Sequence, residues 1–150
     1  MTFYVIYFFI FIYVYTNKIL SFVLYMPTKT VISCFKTRDE FLQLLNNNPG
    51  LVIMKLGATW CGPCKKIQPM INQFFYSSPD NVICCDIDVD LSADLYTCLK
   101  SKRMVNGIPV VLAYYKDNNS FIPDDTITGA NPEQLSLFFK RCQNYILSIT

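Results

Sequence analysis

Histidine is absent from the 150 residues of this chain, and its absence excludes several kinds of chemistry. There can be no Ser-His or Cys-His nucleophile pair, no imidazole metal ligand and no histidine pH switch. Charged residues are also few, at 16% of the sequence, and nearly balanced in sign. This composition predicts no basic surface for binding nucleic acid. Catalytic chemistry would therefore have to come from cysteine, lysine or carboxylate side chains.

Aromatic residues are concentrated at the N-terminus, where residues 1–25 form a hydrophobic segment. That segment holds 10 of the 22 Phe and Tyr residues and a single charge, Lys18. Phe3–Tyr15 is too short to cross a bilayer, but Phe3–Met26 is long enough, with Lys18 able to reach an interface. We predict a single-pass, signal-anchor-like membrane segment. Basic residues follow it and favour a cytosolic C-terminal side, namely Lys29, Lys36 and Arg38.

Two other interpretations of residues 1–25 remain open. Translation from Met26 would give a soluble cytoplasmic protein that lacks the segment. A cleaved signal peptide is the weaker alternative, because the segment has no basic residue before its apolar run and no small residues at a cleavage site. In each case we expect residues 26–150 to form one folded domain, which their number suits.

Residues 26–150 alternate between strand and helix patterns, which predicts an α/β domain with a mixed sheet. Two nearly continuous apolar runs are typical of strands buried on both faces, and two capping patterns mark helix starts. The predicted order is strand Val31–Cys34, helix from Thr37, strand Leu51–Leu56, helix from about Pro63, strand Val82–Val89, helix Ser92–Ser101, hairpin strands Val110–Tyr115 and Ile122–Thr128, and helix from Asn131.

A pair of cysteines, Cys61 and Cys64, stands where a buried strand gives way to a helix. Two cysteines separated by two residues can close a small disulfide ring. The Cys61 thiol would face unpaired N–H groups at the helix start, which stabilise a thiolate, and Cys64 is one turn deeper and suits a resolving role. Gly62 permits the tight turn, and Pro63 stiffens it.

The remaining five of the seven cysteines do not complete a zinc site. Such a site needs a second pair with the same spacing, whereas Cys84 has only Cys85 beside it, on the opposite face of a strand. We therefore predict no metal. We expect all five to be small core residues, namely Cys34, Cys84, Cys85, Cys98 and Cys142.

The segment Ala58–Lys65, with the sequence ATWCGPCK, strongly resembles the active-site motif of thioredoxins. The similarity continues through Pro69, through Asn106–Pro109 and through Gly129, and it extends from about Met26 to Ile149. The resemblance implies a thioredoxin fold, with a mixed central sheet flanked by helices. It also implies a protein disulfide reductase that needs no prosthetic group.

For the site, the resemblance implies a role for each residue. Cys61 would be the attacking thiolate, Cys64 would resolve the mixed disulfide, and Trp60 would pack beside the pair. Ile108–Pro109 would be a cis peptide that faces the disulfide, with the Ile108 backbone able to pair with a substrate strand. The substrates would be proteins that contain disulfides, and an NADPH-dependent thioredoxin reductase would regenerate the dithiol.

One position departs from the family pattern. Thioredoxins place a buried Asp six residues before the first cysteine, where it assists proton transfer at the resolving cysteine, but here that position is Lys55. Asp86 falls where bacterial thioredoxins often carry the partner Lys. We hypothesise a swapped ion pair of Lys55 with Asp86; the alternative is that Lys55 reaches the surface. A buried lysine near the thiols would favour thiolates.

Two rival functions remain open. The domain could be an oxidase or isomerase of a secretory compartment if the N-terminus delivers it to a lumen. It could also be a membrane-tethered binding module in which the redox pair is incidental.

Overall fold

The computed structural model describes residues 29–149. The hydrophobic segment predicted at residues 1–25, and the domain start predicted at residue 26, lie outside the described residues. Within 29–149, no helix is both long enough and apolar enough to cross a membrane.

The described residues form five strands and four helices in the predicted order. The elements are β1 (Val31–Ile32), α1 (Arg38–Asn46), β2 (Leu51–Gly57), α2 (Gly62–Ser77), β3 (Val82–Asp88), α3 (Ala93–Ser101), β4 (Val110–Tyr115), β5 (Asp125–Thr128) and α4 (Pro132–Ser148).

The strands form one mixed sheet in the order β1-β3-β2-β4-β5. β1 and β2 each pair with β3 in parallel, whereas β4 is antiparallel to both β2 and β5. β2 is the central strand and is buried at every position, as its apolar run predicts. The β2–β3 register sets Lys55 opposite Asp86. Helices flank this sheet, so the predicted thioredoxin fold is confirmed.

Side chains of β2 alternate between two hydrophobic cores, because successive strand residues point to opposite faces. Val52, Met54 and Leu56 belong to the core that α1 and α3 complete. Leu51 and Ile53 belong to the core that α2 and α4 complete. Lys55 continues the second set, and its side chain therefore points to the face that α2 covers.

β3 shows the same alternation at its two adjacent cysteines. Cys85 lies in the core with Met54, and Cys84 lies in the core with Ile53. Burial raises the pKa of both thiols, which keeps them protonated and unreactive near neutral pH.

Side-chain caps begin α1 and α4 as the sequence predicts. Thr37 Oγ1 accepts the Glu40 amide at 3.3 Å, while Glu40 Oε2 accepts the Lys36 amide at 2.8 Å. Asn131 Oδ1 accepts the Gln134 amide at 3.0 Å. These bonds satisfy N–H groups that have no partner within the helix.

The hairpin differs from the prediction in its second strand, which begins at Asp125 rather than Ile122. Pro123 has no N–H to give to a strand ladder. The Asp124 carboxylate accepts the Tyr115 amide at 2.7 Å, in the place of a strand carbonyl. A side-chain bond therefore replaces one bond of the ladder before β5 begins, although the Asp124 N–H still donates to the Ala113 carbonyl at 2.9 Å.

The prediction that Cys34 is a core residue is wrong, because Cys34 is exposed. β1 pairs with β3 through only two residues and ends at Ile32. Beyond that point the chain leaves the sheet, and Phe35 enters the core instead. The other four cysteines outside the disulfide are buried, as predicted.

Candidate active site

The two motif cysteines lie where β2 turns into α2. β2 ends at Gly57, and α2 begins at Gly62 with Pro63 in its first turn. Cys61 is the N-cap, with extended dihedral angles of φ −79° and ψ 103°. A disulfide joins Cys61 to Cys64, and their Cα atoms are 5.3 Å apart. The cysteine pair therefore lies beyond the C-terminal end of the central strand, and the start of α2 fixes its orientation.

The helix start supplies the electrostatics of the pair. Cys61 Sγ accepts the backbone N–H of Cys64 at 3.2 Å. Unpaired N–H groups and the positive end of the helix dipole favour negative charge at this position. When the disulfide is open, the same arrangement stabilises a thiolate at Cys61.

Trp60 adjoins the disulfide in sequence, and the residue is 66% exposed. Its indole Nε1 donates to Asp90 Oδ2 at 2.8 Å. This bond ties the turn before α2 to the loop after β3. This bond holds the exposed Trp60 at the rim of the site. That Trp60 packs beside the cysteine pair stays a prediction, and Asp90 was not among the predicted site residues.

The Ile108–Pro109 peptide bond is cis. Val110 follows it as the first residue of β4 and pairs with Leu56 near the end of β2. The Pro109 carbonyl accepts the amide of Gly129 at 2.8 Å. Gly129 has φ +94°, a backbone conformation that favours glycine. The strand register therefore brings the cis peptide to the end of the sheet that carries the cysteines.

Lys55 and Asp86 form an ion pair between β2 and β3. Lys55 Nζ lies 2.7 Å from Asp86 Oδ1, and the Lys55 side chain is only 7% exposed. Gln68 of α2 completes the group, because its Oε1 accepts from Lys55 Nζ at 2.8 Å and its Nε2 donates to Asp86 Oδ2 at 2.6 Å. The surface alternative for Lys55 is therefore wrong.

Sequence reasoning did not find Gln68, although a signal was present. Gln68 lies four residues after Cys64, so the two share one face of α2. A polar residue at that spacing from a reactive cysteine is a candidate site residue. Its partner on β2 could be named only after the helix was placed against the sheet.

A cavity of about 480 Å³ opens beside this group. Lys55, Gln68 and Asp86 line it, and so does Cys64, whereas Cys61 does not. Of the two sulfur-bearing residues, only Cys64 therefore borders this space. Within residues 29–149, no cluster of three cysteine or acidic side chains could hold a metal ion.

Comparison with known proteins gives a consistent result. The thioredoxin family model matches residues 32–141. The thioredoxin of Coprinus comatus is 29% identical over 106 residues, which cover 70% of this chain and 92% of that protein. Thioredoxin-1 of Saccharomyces cerevisiae is 33% identical over 102 residues, which cover 68% of this chain and 89% of that protein.

Solved structures have the same fold. The structure of Trichomonas vaginalis thioredoxin is 24% identical, with a TM-score of 0.59, and the match covers 73% of this chain and 96% of that one. A crystal structure of Plasmodium falciparum thioredoxin is 25% identical, with a TM-score of 0.58, over 74% of this chain and 85% of that one.

Proposed function

The chain belongs to the thioredoxin family and is a thiol-disulfide oxidoreductase, and on this premise we propose that it reduces the disulfides of other proteins. The observation that carries the proposal is the Cys61–Cys64 disulfide at the start of α2, with Gly62 and Pro63 between its cysteines. The Gly-Pro spacer resembles that of reducing thioredoxins, whose reduction potential is about −270 mV, rather than that of disulfide isomerases, whose reduction potential is about −180 mV.

The reaction uses the two sulfurs in sequence. The Cys61 thiolate attacks one sulfur of the substrate disulfide, forms a mixed disulfide and releases the other substrate sulfur as a thiolate, which takes a proton from solvent. Cys64 then attacks Cys61 Sγ, closes the disulfide and releases the second substrate thiol. Two electrons pass to the substrate. The substrate strand would pair with the backbone of Ile108, beside the cis peptide.

The dithiol would be regenerated by an NADPH-dependent thioredoxin reductase. This proposal is supported by membership of the family. An assay with such a reductase tests it directly, because NADPH oxidation should depend on this chain and should cease in Cys61→Ser.

Measurements of the reduction potential and of disulfide reductase activity test the proposed reductase function. Trp60 is the only tryptophan of the chain and precedes Cys61, so its fluorescence should report the redox state of the pair. In a glutathione titration of the full chain we expect one two-electron transition at about −270 mV, and Cys61→Ser/Cys64→Ser should show none. The chain should also reduce insulin with dithiothreitol as reductant.

A transition above about −200 mV would overturn the reductase proposal and indicate an oxidase or isomerase. A Cys61→Ser/Cys64→Ser chain that kept full biological activity would instead support a binding module.

We also propose that residues 1–25 anchor the chain in a membrane, with the redox domain facing the cytosol. The apolar composition of this segment supports the proposal. In a flotation experiment, the full chain should rise with vesicles, and a chain that starts at Met26 should stay in the soluble fraction. If both stay in the soluble fraction, the anchor is refuted.

A further inference from the structure

The ammonium group of Lys55 is a buried cation close to the resolving cysteine. We propose that Lys55 is a positioning residue that stabilises the Cys64 thiolate while the disulfide is open. A cation would thus act where the family pattern has a carboxylate. This inference rests on the proposed reductase function, because it concerns the second step of that reaction.

The backbone of Gly57 shows how close the two groups are. A Cβ atom added at Gly57 would lie 2.9 Å from Lys55 Nζ and 3.4 Å from Cys64 Sγ. Nζ and Sγ both border the small space left by the absent side chain. These two distances place Nζ within about 6.3 Å of Sγ, and a positive charge at that range favours the ionised form of a buried sulfur.

Lys55 is held in this place from two sides. Asp86 accepts from Nζ at 2.7 Å and Gln68 accepts at 2.8 Å, while Gln68 also donates to Asp86. Nζ has three N–H groups, so two are used in these bonds and one is left for another acceptor. These bonds fix the position of the ammonium group and oppose its movement into solvent.

We expect Asp86 to offset only part of the effect of Lys55 at Cys64. The Asp86 side chain is 28% exposed, against 7% for Lys55, so water screens the carboxylate more than the ammonium. The other charged groups that line the cavity are Asp88 from β3 and Lys65 from α2. β4 contributes no residue to that lining.

The second step of the reaction shows what the cation does. Cys64 loses its proton to solvent through the cavity, and the resulting thiolate attacks Cys61 Sγ. The bond between Cys61 and the substrate breaks, and the substrate sulfur leaves as a thiolate and takes up a proton from solvent. Lys55 donates and accepts no proton in this scheme; its field increases the fraction of Cys64 that is ionised.

Ionisation of Cys64 can be measured without a substrate. Thiolate absorbance at 240 nm is titrated in full-length Cys61→Ser, and the signal of Cys61→Ser/Cys64→Ser is subtracted to remove the other cysteines. Adding Lys55→Met should raise the pH of half-ionisation of Cys64 by about one unit, a tenfold loss of thiolate. Lys55→Arg should restore most of it. Lys66→Met removes an exposed lysine of α2, the helix that carries Cys64, and should change nothing.

The reduction potential provides a second measurement. With Cys61 and Cys64 intact, Lys55→Met should lower the potential at a pH where both thiols are ionised, by about 30 mV for a tenfold loss of thiolate stabilisation. If Lys55→Met does not fold, Lys55→Met/Asp86→Asn removes both charges and serves in its place. It should shift both quantities in the same direction.

The results separate this inference from the function on which it rests. Unchanged ionisation and potential in a folded Lys55→Met or Lys55→Met/Asp86→Asn chain would overturn the role of Lys55. Shifted values in a chain that fails to reduce insulin would support Lys55 and overturn the reductase proposal.

Discussion

Gly57→Ala is a sensitive test of the geometry around Lys55. The added Cβ would lie 2.9 Å from both Cε and Nζ of Lys55, closer than real Cβ contacts. The end of a lysine normally moves aside easily, but here Nζ is held by Asp86 and Gln68. Lys55 can avoid the clash only by weakening those bonds.

Two reference values bound the loss of unfolding free energy that we expect for Gly57→Ala. Adding a carbon to a packed site costs about 1–3 kcal/mol. Removing one partner of a fully buried ion pair costs about 3–5 kcal/mol, but Asp86 is 28% exposed, and water compensates part of that loss. We therefore expect Gly57→Ala to lower the free energy of unfolding by about 1–3 kcal/mol.

The same substitution should behave differently once Lys55 is shortened. In Lys55→Ala, the nearest atom to the added Cβ would be Cys64 Sγ at 3.4 Å, an ordinary van der Waals contact. Replacing glycine by alanine also restricts the unfolded chain, which stabilises by about 0.4–1 kcal/mol where the backbone permits it. Gly57→Ala should thus be neutral or stabilising in that background.

Urea unfolding of the oxidised full chain measures this double-mutant cycle. Gly62→Ala is a matched control, because a Cβ at Gly62 meets no atom within 4 Å. A cost for Gly57→Ala that is the same with and without the Lys55 side chain would refute the reasoning, since the clash would then lie elsewhere.

Three further predictions concern the core, the surface charges and the thiols. Phe41 is fully buried and packs edge-on against two aromatic rings, so Phe41→Ala should lower the free energy of unfolding by about 3–5 kcal/mol in urea; a loss below about 1 kcal/mol would contradict this packing. The hydrogen bond from Arg38 holds the pKa of Asp94 below its ordinary value. The pair therefore stabilises the fold above about pH 4 and loses this effect as the pH falls through the folded pKa. Arg38→Gln should lower the urea midpoint at pH 7 but not near pH 2, and equal shifts at both values would exclude this linkage. In the reduced native chain, iodoacetamide should label Cys34 rapidly. In the time that Cys34 takes to react fully, peptide mass spectrometry should find no label at the buried thiols Cys84, Cys85 and Cys142, whose pKa values burial raises.

The order of elements could be predicted because most of them carry strong local signals. The continuous apolar run of β2 and the side-chain caps of α1 and α4 are local features, and the structure follows them. β1 and β5 are weaker, since their lengths depend on pairing partners elsewhere in the chain. Cys34 shows the difference, because it is exposed where the parallel pairing of β1 stops.

The site was predictable to a similar degree. The spacing of Cys61 and Cys64 identified the redox pair, and the resemblance to thioredoxins suggested that Lys55 meets Asp86. Gln68 and Asp90 depend on how α2 and the loop after β3 pack against the sheet. That packing is a tertiary property, which no local pattern in the sequence specifies.

The alternation of Cys84 and Cys85 has a consequence for the dynamics of the fold. Two adjacent residues place one thiol in each of two separate cores. Thiol trapping under native conditions can therefore report local unfolding on either side of the sheet from neighbouring positions of one strand. Equal trapping rates would mean that both helical layers open as one cooperative unit, and unequal rates would identify the layer that detaches first.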